Sequence, residues 1–265
     1  MEAFDQGDFW GGSVVYDRST FDAQFQAFEA FNAGPYDQYA ALINSYAWVL
    51  EAQMWIASNS LEYTKPQEYP ATFENFTSLP NITDTMRISN LTDFTDELAV
   101  SNPVGRRQLF TTNTFRNSAA LMKTTFDISD ELVREMIGVS GLSYSLSFQP
   151  VPVILLERAE QQGGNSLGLD PANGPLTNFL LTVSWDDTED DALVNAKGQE
   201  LIQRTNARAA ELGVDEKYLY LNYAAKWQDP IASYGADVNA RFQAVSKKYD
   251  PRGTFQKQVP GGFKL

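Results

Sequence analysis

The chain of 265 residues contains no cysteine and no histidine. The first absence excludes disulfides, thiolate nucleophiles and Cys-ligated zinc. The second excludes more: neither a Ser-His-Asp nor a Cys-His relay can be assembled within the chain, and no His-based metal centre is expected. Proton transfer is left to Tyr, Asp, Glu, Lys or water. Nor is there an apolar run near the ~20 residues that span a bilayer, so no membrane partner is expected.

Positive charge is scarce as well, with 20 Lys and Arg against 34 Asp and Glu and a net charge of −14. A phosphate backbone is repelled by such a surface, and nucleic acid is not an expected partner. Solubility is a sufficient meaning for the acidity. Met1 to Gly12 are acidic and aromatic, unlike a secretory leader, so the expectation is a soluble, cytoplasmic chain. The sequons Asn75-Phe76-Thr77, Asn81-Ile82-Thr83 and Asn90-Leu91-Thr92 leave room for a secretory ancestor. Repeats, low-complexity tracts and Ser/Gly linkers are missing, which favours one compact unit.

Aromatic residues are plentiful at 13%, including 17 Phe and 12 Tyr. Two readings stay open: a pocket for a small flat apolar or aromatic metabolite, or a ring-rich core. Ser13–Tyr16 reads as a strand. Phe21, Phe25, Phe28 and Phe31 recur at helical spacing after Ser19 or Thr20, predicting a helix with an aromatic inward stripe that stops at Gly34-Pro35. Tyr39–Trp48 and Ala52–Tyr63 predict a hairpin. A short helix is expected within Pro70–Leu79, a strand over Met86–Ser89 and a helix opening at Asn90. Arg107–Thr114 predicts a strand. Two helices should follow it, Asn117–Phe126 and a second capped by Ile128-Ser129-Asp130-Glu131 that runs to Gly138.

Leu142–Pro150 alternates apolar with polar residues, the pattern of a half-buried strand, and Val153–Glu157 is expected to continue extended. Phe179–Trp185 predicts a strand, and a long helix led by Asp186 to Asp191 runs to Leu212. Tyr218–Tyr223 predicts a last strand. Gly235–Tyr249 predicts an amphipathic helix with Val238, Phe242 and Val245 inward, before an extended tail from Phe255 to Leu265. The fold class is therefore α+β, a large mainly antiparallel sheet flanked by helices on one face.

On a strand, Tyr218, Tyr220 and Asn222 would share one face and Leu219, Leu221 and Tyr223 the other. Phenols and an amide facing a cavity orient a ligand and offer an acid or base; equally, Tyr is a common amphipathic core residue with a wet tip. Tyr220-Leu221-Asn222-Tyr223, Gln228-Asp229-Pro230-Ile231, Ser233-Tyr234-Gly235, the run Lys248 to Gln256 and the tail Val259 to Leu265 resemble the C-terminus of fungal FAD-linked oxidoreductases of the berberine bridge group, which have the vanillyl-alcohol-oxidase fold. Phe148-Gln149-Pro150-Val151-Pro152 and the run Gly163 to Leu169 resemble that group's substrate domain. Phe9-Trp10-Gly11-Gly12 resembles the segment that follows its flavin domain.

The resemblance implies a substrate-binding domain over residues 1–224, then a helix and tail, 225–265, that pack on the FAD domain in relatives. It implies that Tyr223 is the catalytic base, that Tyr220 and Asn222 lie beside the cofactor, and that Gln149, Asn165 and Tyr218 contact substrate or support the pocket. Two departures stand out. Many relatives carry Asp where this chain has Ala225, and no Gly-rich pyrophosphate loop or covalent flavin tether occurs here. Gly163-Gly164 lies between substrate-domain-like strands and is not read as a phosphate cradle. FAD is thus expected only where a partner domain supplies it, and the helix and tail would meet a flavin-domain partner or a second copy.

Three functions follow. The chain is the substrate-binding part of a FAD-linked oxidoreductase acting on a secondary metabolite, or a flavin-independent cyclase or isomerase descended from one, or a non-catalytic ligand-binding module.

Overall fold

The computed structural model describes residues 5–100 and 104–265. The first four positions of the Met1–Gly12 stretch thus lie outside the described residues.

Eight strands form one sheet: β1 (Phe9–Asp17), β2 (Ala40–Val49), β3 (Met54–Tyr63), β4 (Thr83–Asp84), β5 (Arg87–Ser89), β6 (Arg107–Arg116), β7 (Ser143–Val151) and β8 (Leu176–Trp185). The order is β4-β1-β3-β2-β7-β8-β6, with β5 also on β1, and the ladders are antiparallel. The helices are α1 (Phe21–Ala33), α2 (Glu74–Thr77), α3 (Leu91–Ala99), α4 (Ala119–Arg134), α5 (Val153–Gln161), α6 (Asp191–Leu212), α7 (Pro230–Ser233), α8 (Ala236–Tyr249) and α9 (Thr254–Lys257). This is the α+β class read from the sequence.

Helices α1, α4 and α6 cover one sheet face. The four phenylalanines of α1 are buried there as their spacing predicts, with Phe25 and Phe28 against Phe148 of β7 and Phe21 and Phe25 against Tyr46 of β2. Inside this aromatic layer sits a polar clamp. The Asn44 amide of β2 donates to Gln24 Oε1 of α1 at 2.9 Å and to Asn59 Oδ1 of β3 at 2.6 Å, and Asn59 donates to Gln24 Oε1 at 3.0 Å. Such a mutually bonded set is tolerated in the core and ties helix position to strand register.

Three local expectations are corrected first. α4 is one helix rather than two: Ser118 caps its start, accepting from the Leu121 amide, and the side chains that look like a second cap are used elsewhere. Ser129 hydrogen-bonds the Tyr144 hydroxyl at 2.7 Å, and Asp130 accepts from the Trp55 indole at 2.8 Å. Residues from Val153 are helical, because Pro152 stands at the N-cap, where a missing N–H costs no helical bond. Tyr218–Tyr223 is not a strand. Its first half is extended and Leu221–Tyr223 is a 3₁₀ turn closed by the Tyr223 amide on the Tyr220 carbonyl.

In the C-terminal part, α8 buries no residue: Phe242 is half-buried and Val245 is 50% exposed. The tail contains the single turn α9, held by the Asp250 carboxylate accepting from the Thr254 and Phe255 amides.

Candidate active site

The sheet's second face is built from the alternate residues of the same strands. Cross-strand pairing places Ser13, Ser60 and Ile43 in one row and Val15, Ser58, Ser45 and Ser147 in the next. Ser45 and Ser147 share a hydrogen bond of 2.8 Å. Five half-exposed serines, with Ile43 and Val15 among them, make this a shallow floor of mixed polarity. Its two margins are covered: Phe9 packs on Phe94 of α3 at 4.8 Å, and Phe110 of β6 meets the Tyr223 ring at 6.2 Å.

Beside the second margin lies a cavity of about 390 Å³ lined by Gln149, Asn165, Tyr218 and Tyr220, with Asn178 of β8 and apolar residues of α5 and the loop after it. Four of the six residues singled out from the sequence thus converge. Tyr223 joins them indirectly, because Gln149 Nε2 donates to its hydroxyl oxygen at 3.1 Å. Asn222 is exposed and donates to the Tyr220 hydroxyl at 2.8 Å. The turn that replaces the expected strand brings the Tyr220 and Tyr223 rings edge to face at 4.7 Å. The alternation that would have put Tyr223 opposite Tyr220 is therefore absent, and both phenols meet on one side.

The six residues differ in freedom. Asn165 is committed to its own loop, donating to the Leu169 carbonyl and accepting from the Leu167 and Leu169 amides. Gly168 in that loop has φ +71°, and a Cβ there would collide with the Tyr234 carbonyl, so the loop's close approach to the C-terminal segment requires glycine. Tyr218 is buried and stacked on Tyr234 at 5.7 Å. Burial, then the neighbouring Tyr234 and Tyr220, push its phenol above the ordinary value, so it remains a neutral donor.

Sequence reasoning missed two supports. Gln228 is buried and works as a short strand: its Nε2 donates to the Thr112 carbonyl at 2.7 Å, while its Oε1 accepts from the Thr112 and Ala225 amides and the Thr111 hydroxyl. It bolts the segment carrying Tyr218 to Tyr223 onto edge strand β6. Ala225 is buried in this joint. Asn178 accepts from the Thr112 hydroxyl at 3.1 Å. Gln228 lies in one of the motifs that carry the resemblance, but its partners on β6 lie 116 and 117 positions away.

Among the described residues no group of three or more His, Cys, Asp or Glu could hold a metal ion, and no helix is long and apolar enough to cross a membrane. The Gly163 and Gly164 amides are spent closing the C-terminal end of α5, donating to the Glu160 and Ala159 carbonyls. A pyrophosphate cradle needs free N–H groups at a helix N-terminus. That pair forms none, and it does not fit the dinucleotide's phosphates.

No family model matches the chain. A FAD-dependent monooxygenase of Emericella nidulans is 36% identical over 273 residues, covering 100% of this chain and 56% of that protein. One of Cercospora beticola is 34% identical over 281 residues, covering 100% and 52%. A third, of Phaeosphaeria nodorum, is 34% identical over 280 residues, covering 100% and 80%. The chain spans about half the length of the first two.

Among solved structures, 6-hydroxy-D-nicotine oxidase of Arthrobacter nicotinovorans superposes with a TM-score of 0.65 at 12% identity, over 94% of this chain and 53% of that one. The berberine bridge enzyme-like protein 1 of Physcomitrella patens gives 0.63 at 10% identity, over 93% and 52%. These distant structures share the fold.

Proposed function

The chain belongs to the FAD-dependent monooxygenases with a berberine-bridge-type fold, and from that premise we propose that it is the substrate-binding part of a FAD-linked oxidoreductase. Its substrate is a small apolar or aromatic secondary metabolite, and the flavin is held by a part outside these residues. The observation that carries the reading is the convergence of Gln149, Tyr218, Tyr220 and Asn165 on one cavity, with Tyr223 bonded to Gln149. When bound, the flavin supplies the redox chemistry.

The residues of this chain bind, orient and move a proton. Tyr223 is the proton acceptor: as the phenolate it takes a proton from the ligand and becomes the neutral phenol, and the Gln149 amide that donates to its oxygen holds it in place. Tyr218, kept neutral, donates a hydrogen bond to the ligand. Tyr220 and Asn222, bonded to each other, lie on the side turned to the cofactor. Residues 225–265 form the docking unit: Phe242, Val245, Tyr249, Phe255 and Leu265 line an apolar groove of about 400 Å³ that a flavin-domain partner would cover.

The test is turnover with the flavin-binding part present. Tyr223→Phe should leave the fold intact and lower the rate at least about tenfold, ~1.4 kcal/mol or more of transition-state stabilisation. An unchanged rate would assign Tyr223 to packing. Ligand turnover by colourless protein would replace this reading with a flavin-independent cyclase or isomerase, and binding without turnover would replace it with a ligand-binding module.

A further inference from the structure

One carboxylate on the open face has no part in the site above. Glu62 of β3 pairs with Gly11 of β1 on one side and Ala41 of β2 on the other. Its side chain leans over Gly11, where an added Cβ would lie 3.4 Å from Glu62 Cγ and 3.5 Å from the Phe9 ring. The Leu61 carbonyl would lie closer still, at 3.1 Å. Oε1 accepts from the Ser60 hydroxyl at 2.6 Å, which aims the carboxyl along the strand toward the serine floor. Glu62 is half-buried, and burial lifts its carboxyl to about 7, partly offset by the Ser60 hydrogen bond. Keeping a carboxyl in such a place costs stability, and among the described residues no ion pair uses it.

The sheet register relates this group to the site. Ser60 pairs with Ile43, and Asn44 pairs with Phe148, so Gln149 follows beside Ile43. From the Glu62–Ser60 pair to the Gln149–Tyr223 pair is therefore two strand steps, about 10 Å. Ala41 and Ile43 floor the interval, and neither offers a polar group. Two hydrogen-bonding ends with an apolar middle match a flat ring system in size and chemistry.

We propose that Glu62 and Ser60 form a second ligand-anchoring point, selecting flat aromatic ligands that carry a hydroxyl group at each end. The Glu62 carboxylate accepts from one hydroxyl, Ser60 holds that carboxylate, and Gln149 with Tyr223 receives the other. This rests on the reading of the open face as the substrate surface and adds which substrates it prefers.

The test uses the full chain and two rigid probes in a fluorescence titration. In 4,4′-dihydroxybiphenyl the two oxygens are about 10 Å apart, the span of two strand steps, whereas 4-hydroxybiphenyl has only one. Wild type should bind the dihydroxy probe about tenfold more tightly than the monohydroxy probe. Glu62→Gln should abolish that preference while still binding the monohydroxy probe, and Ser60→Ala should reduce it, with thermal unfolding showing that both variants are folded. Equal affinity of wild type for the two probes, or a preference that survives Glu62→Gln, would overturn the inference and leave the proposed function standing. Failure of wild type to bind either probe would overturn the open face as a ligand surface, and the inference with it.

Discussion

The two faces of the sheet are made by the same strands and do opposite things. On β3, Trp55, Ala57, Asn59, Leu61 and Tyr63 are buried against the helices, while Ile56, Ser58, Ser60 and Glu62 on the other side are half-exposed. The helix-covered face is filled with rings, and its polar trio Gln24, Asn44 and Asn59 is bonded to itself. The open face carries small hydroxyls and a few groups with capacity to spare, such as the second oxygen of Glu62. The rings that hold the fold lie on one side and the groups proposed for recognition on the other, separated by a single residue step along each strand.

The contrast is tested most severely by adjacent residues of β7. Phe148 is fully buried among the rings of Phe25, Phe28, Tyr46, Phe115 and Phe179. Phe148→Ala should cost ~3–5 kcal/mol in urea unfolding, and a loss below ~1.5 kcal/mol would mean the covered face is not filled as described. Next in size is Gln228→Ala, which strips four hydrogen bonds from the joint at β6. A loss of about 2 kcal/mol is expected, with faster amide exchange confined to residues 218–234. Unchanged protection of that segment would deny Gln228 its anchoring role.

Glu62 gives a smaller effect with a defined sign. Its carboxyl is raised from 4.5 to about 7 by burial, so its contribution to stability is full below the unfolded value and is lost as pH rises through the folded one. Glutamine does not titrate. Between pH of about 4 and about 8 the balance should therefore shift toward Glu62→Gln by ~1–2 kcal/mol, after allowance for partial exposure. Parallel pH profiles for the two proteins would show that the carboxyl is ordinarily solvated. The smallest effect belongs to Ser147→Ala, one residue from Phe148, where a change within ~0.5 kcal/mol is expected. A loss approaching that of Phe148→Ala would erase the distinction between the faces.

Elements whose burial follows a simple period were legible. The phenylalanine stripe of α1 and the alternation of Leu142–Pro150 report directly which side is covered. Ser129-Asp130 misled because a helix cap and a tertiary contact use the same side chains, and Tyr144 and Trp55 had the stronger claim. Tyr218–Tyr223 has strand composition, but the β6 edge beside it is occupied by the Gln228 side chain, so the segment turns instead. At the site, residue types could be named in advance, whereas Gln228, Asn178 and Glu62 acquire meaning only from partners on other strands.

By itself the sequence determined which catalytic and ligand-binding side chains these residues lack and which residues of α1 and of Leu142–Pro150 face the core, because composition and a short-period alternation are local properties. Tertiary structure alone decided that Gln149 meets Tyr223, that Gln228 holds the tyrosine segment in place and that Glu62 sits two strands from the cavity margin. Those relations follow from the order of strands in the sheet, which joins residues far apart in the chain.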